Sequence, residues 1–163
     1  MSKAIVIMGV SGSGKSTLGQ ALADTLGWSF VEGDALHPPA NIAKMSAGTP
    51  LDDDDRRPFL ENVSQAILAR PEGVVVSCSA LKRAYRDLIR SIAGDVTFVL
   101  PMLSREQLQA RMARRAGHFM PAALLDSQLQ TLEVPGADER AIQMDGDLPV
   151  EAQVERVMAA LSL

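Results

Sequence analysis

The feature that most constrains this chain is a glycine-rich segment between an apolar run and a helical pattern. Residues 9–16 read Gly-Val-Ser-Gly-Ser-Gly-Lys-Ser and directly follow the apolar residues 4–8. The spacing is G-x-x-x-x-G-K-[ST], the P-loop, in the strand–loop–helix setting that this motif requires. Glycine permits backbone angles at which successive N–H groups face an anion, and the following helix adds its own N-terminal N–H groups and dipole. A glycine-rich turn without a ligand is the weaker interpretation, because the motif and its setting agree.

The P-loop predicts that a nucleoside triphosphate binds here. Lys15 can reach the β- and γ-phosphates, so we expect it to be catalytic, and the Ser16 hydroxyl is suited to bind Mg²⁺. The residues expected to contact the nucleotide are Gly9, Val10, Ser11, Gly12, Ser13, Gly14, Lys15, Ser16 and Thr17.

Apolar runs alternate with helical patterns along the chain, which has 163 residues. Strands that alternate with helices imply right-handed crossovers and a parallel sheet with helices on both faces. There is no repeat and no linker, and the length suits one core, so we expect a single domain over residues 1–163. The predicted fold class is α/β, a P-loop NTPase fold with a five-stranded parallel sheet. Besides the first strand, the expected strands are 28–31, 74–76, 96–100 and 141–144.

Composition and charge limit the partners of the chain. The formal net charge is −4 and the sequence pI is about 5.1, so nothing indicates a general attraction to nucleic acid or to a membrane surface. No apolar stretch approaches the roughly 20 residues that span a bilayer. Met1-Ser2-Lys3 leads directly into the first strand, so we expect no signal peptide. The single cysteine, Cys78, cannot form an internal disulfide, which predicts a cytoplasmic protein with a buried, unreactive thiol.

In a sheet of this kind, ligands bind beyond the carboxyl ends of the strands. Asp34 follows the second strand, where a carboxylate could accept a proton from a substrate hydroxyl or hold the metal through water; alternatively, it caps the turn. The third strand ends in Ser77-Cys78-Ser79-Ala80, where many ATPases carry a magnesium-holding aspartate. The missing carboxylate argues against a water-activating ATPase. It favours a transferase whose Mg²⁺ is held by Ser16, phosphates and water.

Two groups of basic residues could bind anions near this edge. Lys82 and Arg86 are four apart at the start of the helix after the third strand, where they could hold a substrate carboxylate or phosphate; a solvated basic face is an equal alternative. Arg111 and Arg115 are one turn apart ahead of a glycine, as in a mobile lid whose guanidinium groups stabilise charge on the transferring phosphoryl group. A surface helix with exposed arginines is the alternative. We therefore expect both arginines to be catalytic, within a lid at about 111–125.

The loop and helix after the second strand carry polar residues of two kinds. Asp52 to Asp55 open a helix, and capping and the helix dipole explain them better than a metal site does. His37 lies in the loop after the second strand, where we expect a hydrogen bond to substrate.

Beyond the P-loop, the chain carries an ordered set of further motifs. They are Gly33-Asp34-Ala35-Leu36-His37-Pro38, Asn41, Lys44-Met45, Gly48, Pro50 to Pro58, Cys78 to Lys82, Tyr85-Arg86-Asp87, Gly117-His118-Phe119 and Pro135 to Glu139. This set resembles the gluconate kinases of the small P-loop type, from the P-loop to about residue 140. Phe59 stands where that family carries Trp, which is an exchange typical of a core position.

The resemblance implies an adenylate-kinase-like fold, with shikimate kinase as a structural relative. It also implies ATP- and Mg²⁺-dependent phosphorylation of D-gluconate to 6-phosphogluconate by a homodimer, with residues 34–60 covering the acceptor. The residues then expected to bind gluconate are Asp34, His37, Lys44, Arg56, Ser79, Lys82 and Arg86. Two alternatives remain: another small-molecule kinase of this fold, of the shikimate or nucleoside monophosphate type, and a nucleotide-binding regulatory module without catalysis.

Overall fold

The computed structural model describes residues 3–114 and 122–161, and of residues 122–124 the backbone alone. Within these residues, five strands form one sheet in the order β2-β3-β1-β4-β5. The strands are β1 (Ala4–Ile7), β2 (Ser29–Glu32), β3 (Val74–Ser77), β4 (Thr97–Met102) and β5 (Ala141–Asp145). The helices are α1 (Lys15–Leu26), α2 (Pro39–Ser46), α3 (Asp53–Leu68), α4 (Arg83–Ala93), α5 (Arg105–Arg114), α6 (Ala122–Thr131) and α7 (Val150–Leu161), with a 3₁₀ helix at Gly33–Leu36.

Every strand pair in the sheet is parallel, as the alternating sequence pattern predicted. The strand β1 lies between β3 and β4, and β2 pairs with the other side of β3. The carboxyl ends of the strands therefore share one edge, where the segments that follow β1, β2 and β3 lie side by side. The predicted α/β fold class and five-stranded parallel sheet are confirmed.

The three central strands β1, β3 and β4 are buried on both faces of the sheet, which gives the segments at their carboxyl ends a rigid base. Ala4 and Val6 of β1 pack with α3 and α4 on one face, whereas Ile5 and Ile7 pack with α1 and α7 on the other. This is the period-two alternation of a strand. Burial of each such side chain contributes about 1.5–3 kcal/mol relative to exposure. Among the described residues, no helix is long and apolar enough to cross a bilayer.

The helix boundaries follow from local capping. The helix α3 begins after Asp52, which accepts a hydrogen bond from the Asp55 N–H at 2.7 Å while the Asp55 carboxylate accepts one from the Asp52 N–H at 3.1 Å. Capping was the predicted role of these aspartates. Ser104 and Gln107 form the same reciprocal pair ahead of α5. Residues 115–121 of the predicted lid at about 111–125, Arg115 among them, lie outside the described residues.

Candidate active site

The P-loop connects β1 to α1 and has the open backbone that anion binding needs. Gly12 and Gly14 have φ angles of 85° and 87°, which side chains rarely adopt. The loop is fixed within itself because the Ser13 hydroxyl and the Lys15 ammonium group donate to the Val10 carbonyl at 2.7 and 3.0 Å. Since α1 begins at Lys15, its first N–H groups and its positive dipole end are directed at the loop. The predicted nucleotide residues thus have the backbone geometry that a phosphate site needs.

Arg111, near the end of α5, lies over the P-loop. A β-carbon placed on Gly14 would lie 3.3 Å from Arg111 Nη1, and one on Gly12 would lie 3.2 Å from Met112. The Arg111 guanidinium donates to the Gly146 carbonyl at 2.8 Å, in the loop after β5. The structure therefore brings this predicted catalytic arginine next to the phosphate loop and holds it from a second loop.

A carboxylate does lie beside Ser16, although none follows β3. Glu32, the last residue of β2, accepts hydrogen bonds from the Ser16 hydroxyl at 2.6 Å and from the Ser77 hydroxyl at 2.5 Å. Ser77 ends β3, so the neighbouring strand supplies the acid that β3 lacks. Hydroxyl and carboxylate oxygens are the hard ligands that Mg²⁺ prefers, so the donor set fits this metal. Glu32 is not recognisable as a site residue in a single sequence, because the strand order that makes it a neighbour of Ser16 is not visible there.

Asp34 is held at the end of β2 by a close approach that only glycine allows. A β-carbon on Gly33 would lie 1.9 Å from the Ser77 carbonyl oxygen, and the Gly33 N–H donates to the Ser77 hydroxyl at 3.2 Å. The Asn62 amide, on α3, fixes the other end of the turn by donating to the Leu36 carbonyl at 2.9 Å. The Asp34 carboxylate is exposed and accepts no hydrogen bond from the part of the chain that the structure describes.

The buried Cys78 thiol, directly after β3, is influenced by charges from both sides of the site. Burial raises the pKa of Cys78 to about 12, and the charges of Asp34 and Lys15 act on it in opposite directions. Both charges are therefore close to the end of β3. Cys78 is only 1% exposed, and its raised pKa keeps it a thiol at neutral pH, in agreement with the predicted buried, unreactive cysteine.

His37 is oriented by an aromatic ring and an amide. Its ring stacks on Phe59 with centroids 3.8 Å apart and an interplanar angle of 11°. The buried Asn41 places its amide nitrogen 3.2 Å from His37 Nδ1 and donates to the Asp55 carbonyl, which assigns the imidazole proton to Nε2. Burial lowers the pKa of His37, against the attraction of Asp34. The ring is therefore neutral at neutral pH and suited to hydrogen bonding.

A charged cluster joins the starts of α3 and α4. Asp53 Oδ1 accepts hydrogen bonds from the Tyr85 hydroxyl at 2.6 Å and from Lys82 at 3.2 Å. Arg56 donates to the Tyr85 hydroxyl at 3.3 Å and to the Leu51 carbonyl at 2.7 Å. The hydrogen bond from Tyr85 is the main reason why the pKa of Asp53 is lowered. Two predicted substrate residues, Arg56 and Lys82, are thus brought together around one tyrosine.

Two other predicted substrate residues lie in different surroundings. Lys44 on α2 contacts both carboxylate oxygens of Asp55, at 2.9 and 2.7 Å, and so ties α2 to α3. Ser79 follows β3, is partly exposed and offers its carbonyl to the Gly9 N–H at 3.0 Å. Ser79 therefore lies directly against the phosphate loop.

Arg86 does not lie at the substrate edge, and its prediction as a substrate ligand is wrong. Its side chain is 0% exposed and pairs with Glu139 at 2.8 and 3.1 Å. It also donates to the carbonyls of Ala80, Leu81 and Glu133. The regular spacing of Lys82 and Arg86 suggested one ligand-facing row. The burial of Arg86 instead depends on Glu139, which is 53 residues away in the chain.

The Arg86 contacts support an unusual turn beside the site. Ala80 has a φ angle of 44°, the left-handed region that side chains other than glycine rarely adopt. Arg86 donates to the Ala80 carbonyl at 2.9 Å. The arginine thus stabilises the turn that presents Ser79 and Lys82, rather than contacting a ligand itself.

Comparison with known proteins shows the family to which the chain is similar. A family model described as an AAA domain matches residues 5–135. The gluconokinase of Gluconobacter oxydans (strain 621H) is 48% identical over 157 aligned residues, covering 94% of this chain and 88% of that protein. The crystal structure of a gluconokinase from Sinorhizobium meliloti 1021 is 52% identical with a TM-score of 0.89, and the match covers 98% of this chain and 91% of that one.

A shikimate kinase structure from Bacteroides thetaiotaomicron has a TM-score of 0.72 at 18% identity, with 98% of each chain covered. This match shows a shared fold alone, as the resemblance implied. The gluconokinase matches show more than a shared fold, because about half of the residues are identical over nearly the whole chain. Since this identity accompanies a preorganised P-loop and the Gly33–Leu36 turn beside it, the chain belongs to the gluconokinase family.

Proposed function

We propose that this protein transfers the γ-phosphoryl group of ATP to the 6-hydroxyl of D-gluconate. The observation that carries the proposal is the placement of the Asp34 carboxylate, exposed and without a hydrogen-bond donor among the described residues, at the same sheet edge as Lys15. A carboxylate so placed can accept the hydrogen bond of a hydroxyl. Because the transition state of phosphoryl transfer is largely dissociative, alignment of that hydroxyl matters more than strong activation.

The nucleotide and metal are assigned to the P-loop side. Residues 9–17 surround the phosphates, Lys15 stabilises charge between the β- and γ-phosphates, and Arg111 stabilises charge on the group in transfer. Ser16 would hold the metal, with Glu32 keeping the Ser16 hydroxyl in place. Mg²⁺ supplies positive charge that offsets the charge of the phosphate oxygens. Arg115 keeps its predicted role in a lid.

The acceptor is assigned to the side formed by the Gly33–Leu36 turn, α2 and the starts of α3 and α4. Gluconate has one carboxylate and a row of hydroxyls. Arg56 and Lys82, which meet at Tyr85, supply two cations for the carboxylate. The neutral His37 ring and the Ser79 hydroxyl supply partners for the hydroxyls, and Lys44 lies in the covering segment at 34–60.

The test is an acceptor panel with the purified protein. ADP release is followed with D-gluconate, shikimate and AMP as acceptors, and ³¹P NMR locates the phosphate on the product. We expect turnover with gluconate alone and a phosphate ester at carbon 6. Lys15→Met serves as the control that removes phosphoryl transfer. Turnover with shikimate or AMP, or no turnover with any acceptor, supports the kinase or regulatory alternatives, which the comparisons do not favour.

Two further expectations from the sequence stay predictions. Family resemblance implies a homodimer, which light scattering of the purified protein would measure. The single buried cysteine and the absence of a general charge attraction to membranes are the basis for a cytoplasmic location, which cell fractionation would test.

A further inference from the structure

Gln128, in the middle of α6, contacts the P-loop at two points. Its Oε1 accepts a hydrogen bond from the Ser11 backbone N–H at 2.8 Å, and its Nε2 lies 3.3 Å from the Ser11 hydroxyl oxygen. One side chain therefore holds both the backbone and the side chain of a single loop residue, 117 positions away in the chain.

The helix that carries Gln128 is itself packed against the same loop. Leu125 is buried with Val10, the neighbour of Ser11, in a cluster that Leu129 and Leu132 also join. Residues spaced three or four apart share one helix face, so this apolar face fixes the position of α6 on the loop. Gln128 precedes Leu129 directly and is half-buried, so its amide reaches Ser11 from a rigid base.

Ser11 is the place where the loop needs such support. It lies between Gly9 and Gly12, whose φ angles of 131° and 85° are in the region where glycine moves freely. The Ser11 N–H donates its hydrogen bond to Gln128. The phosphates are instead expected to bind the N–H groups at the start of α1. A change in the Ser11 peptide would shift the Gly12 to Gly14 segment. Misplacement of reacting groups by about 1 Å can lower a rate by about 10²-fold.

We propose that Gln128 is a positioning residue for phosphoryl transfer, which acts through Ser11 to hold the phosphate loop in a fixed position against α6. Nucleotide affinity does not depend on it, because Lys15 and the start of α1 bind the phosphates in the ground state as well. The rate of transfer depends on it, since alignment counts most in the transition state. The proposal rests on the phosphoryl transfer to gluconate proposed above.

The test is Gln128→Met, which keeps the length and volume of the side chain and removes both hydrogen bonds. We expect kcat to fall by about 10- to 100-fold, with the Kd for ADP changed by less than about threefold. Hydrogen exchange of the Ser11 amide, measured by NMR, should become faster. Gln130→Met, an exposed position on the same helix, is the matched control and should leave all three quantities unchanged.

Gln128→Asn is the second variant, and it keeps the amide but cannot reach Ser11. The same fall in kcat is expected, so the proposal does not depend on the folding of one variant. An unchanged kcat in either variant overturns it. A second result would also overturn the proposal: kcat and ADP affinity fall by the same factor while hydrogen exchange of the Ser11 amide is unchanged. That result would show that Gln128 only packs against the loop. Failure of the wild-type protein to phosphorylate gluconate would be a failure of the proposed function, and the Ser11 exchange measurement would still report on Gln128.

Discussion

The Ser16 hydroxyl donates a hydrogen bond to the Glu32 carboxylate at 2.6 Å, which joins the P-loop to the end of β2. The other oxygen of the same carboxylate accepts from Ser77 at the end of β3. A carboxylate can accept hydrogen bonds at several lone pairs. Glu32 can therefore hold the Ser16 hydroxyl and still accept from water on a metal. The carboxylate beside Ser16 therefore comes from β2, and not from the end of β3.

Glu32→Gln is expected to weaken metal use. The amide keeps the shape but removes the charge, and loss of a group that orients a metal ligand typically costs about 10- to 100-fold in metal affinity. The Mg²⁺ concentration for half-maximal turnover should rise by that factor, and the Kd for Mn²⁺ with ADP, measured by electron paramagnetic resonance, should rise with it. Glu72→Gln, at an exposed site, is the control. An unchanged Mg²⁺ dependence would show that Glu32 is only a structural link.

Asp34→Asn is expected to lower kcat by roughly 10²–10⁴-fold, the range for loss of a general base. The amide keeps the shape but removes the charge and half of the acceptor capacity. ATP binding, measured by calorimetry, should be unaffected because the P-loop is untouched. Asp24→Asn on α1 is the control. If Asp34→Asn keeps most of its turnover, the carboxylate is a turn cap and another residue such as His37 orients the hydroxyl.

Arg111→Ala is expected to lower kcat by about 10²-fold, the scale of one strong electrostatic contact, and to weaken gluconate binding much less. The reason is that its guanidinium lies beside Gly14, on the phosphate side of the site. Arg114→Ala is the matched control, because Arg114 is exposed on the same helix. Steady-state kinetics with both substrates varied separates the two effects. A variant whose sole defect is a higher KM for gluconate would move Arg111 to the acceptor side.

Glu139 is expected to make the fold sensitive to acid. The hydrogen bond from Arg86 is the main reason why the pKa of Glu139 is lowered from 4.5 to about 2. Because its pKa is lowered in the folded state, the ionised Glu139 carboxylate stabilises the fold at pH values above its unfolded pKa of 4.5. This stabilisation is lost as the pH falls from 4.5 towards about 2. The contribution is roughly 3 kcal/mol. Urea unfolding between pH 7 and pH 2.5 should show this loss.

The matched variant for that measurement replaces the buried pair by apolar residues of similar volume, Arg86→Met with Glu139→Leu. Such a replacement is often tolerated, whereas removal of one partner alone typically costs about 3–5 kcal/mol. The double variant should lose the acid-dependent part of the unfolding free energy. If its pH profile matches that of the wild-type protein, other carboxylates carry the effect.

Local sequence patterns were sufficient to predict much of the fold and the P-loop half of the candidate site. The P-loop spacing, the apolar runs and the caps at Asp52 and Ser104 depend on neighbours within a few residues, so they can be read from a single chain. The motif after the second strand predicted that Asp34 lies at the same sheet edge as the P-loop, and the contact of His37 with substrate stays a prediction. The Glu32 contact could not be predicted, because it requires that β2 be paired with β3.

The tertiary structure decided the roles of side chains whose partners are distant in sequence. Arg86 and Lys82 have the same charge and regular spacing, yet Glu139 holds the first in the interior while Asp53 and Tyr85 hold the second at the edge. Gln128 is an ordinary helix residue in sequence and becomes a P-loop contact only when α6 packs on Val10. The sequence by itself determined which chemical groups are present and which local elements form. Packing alone decided which of those groups meet, because burial of a charge or an amide depends on a partner that chain order does not specify.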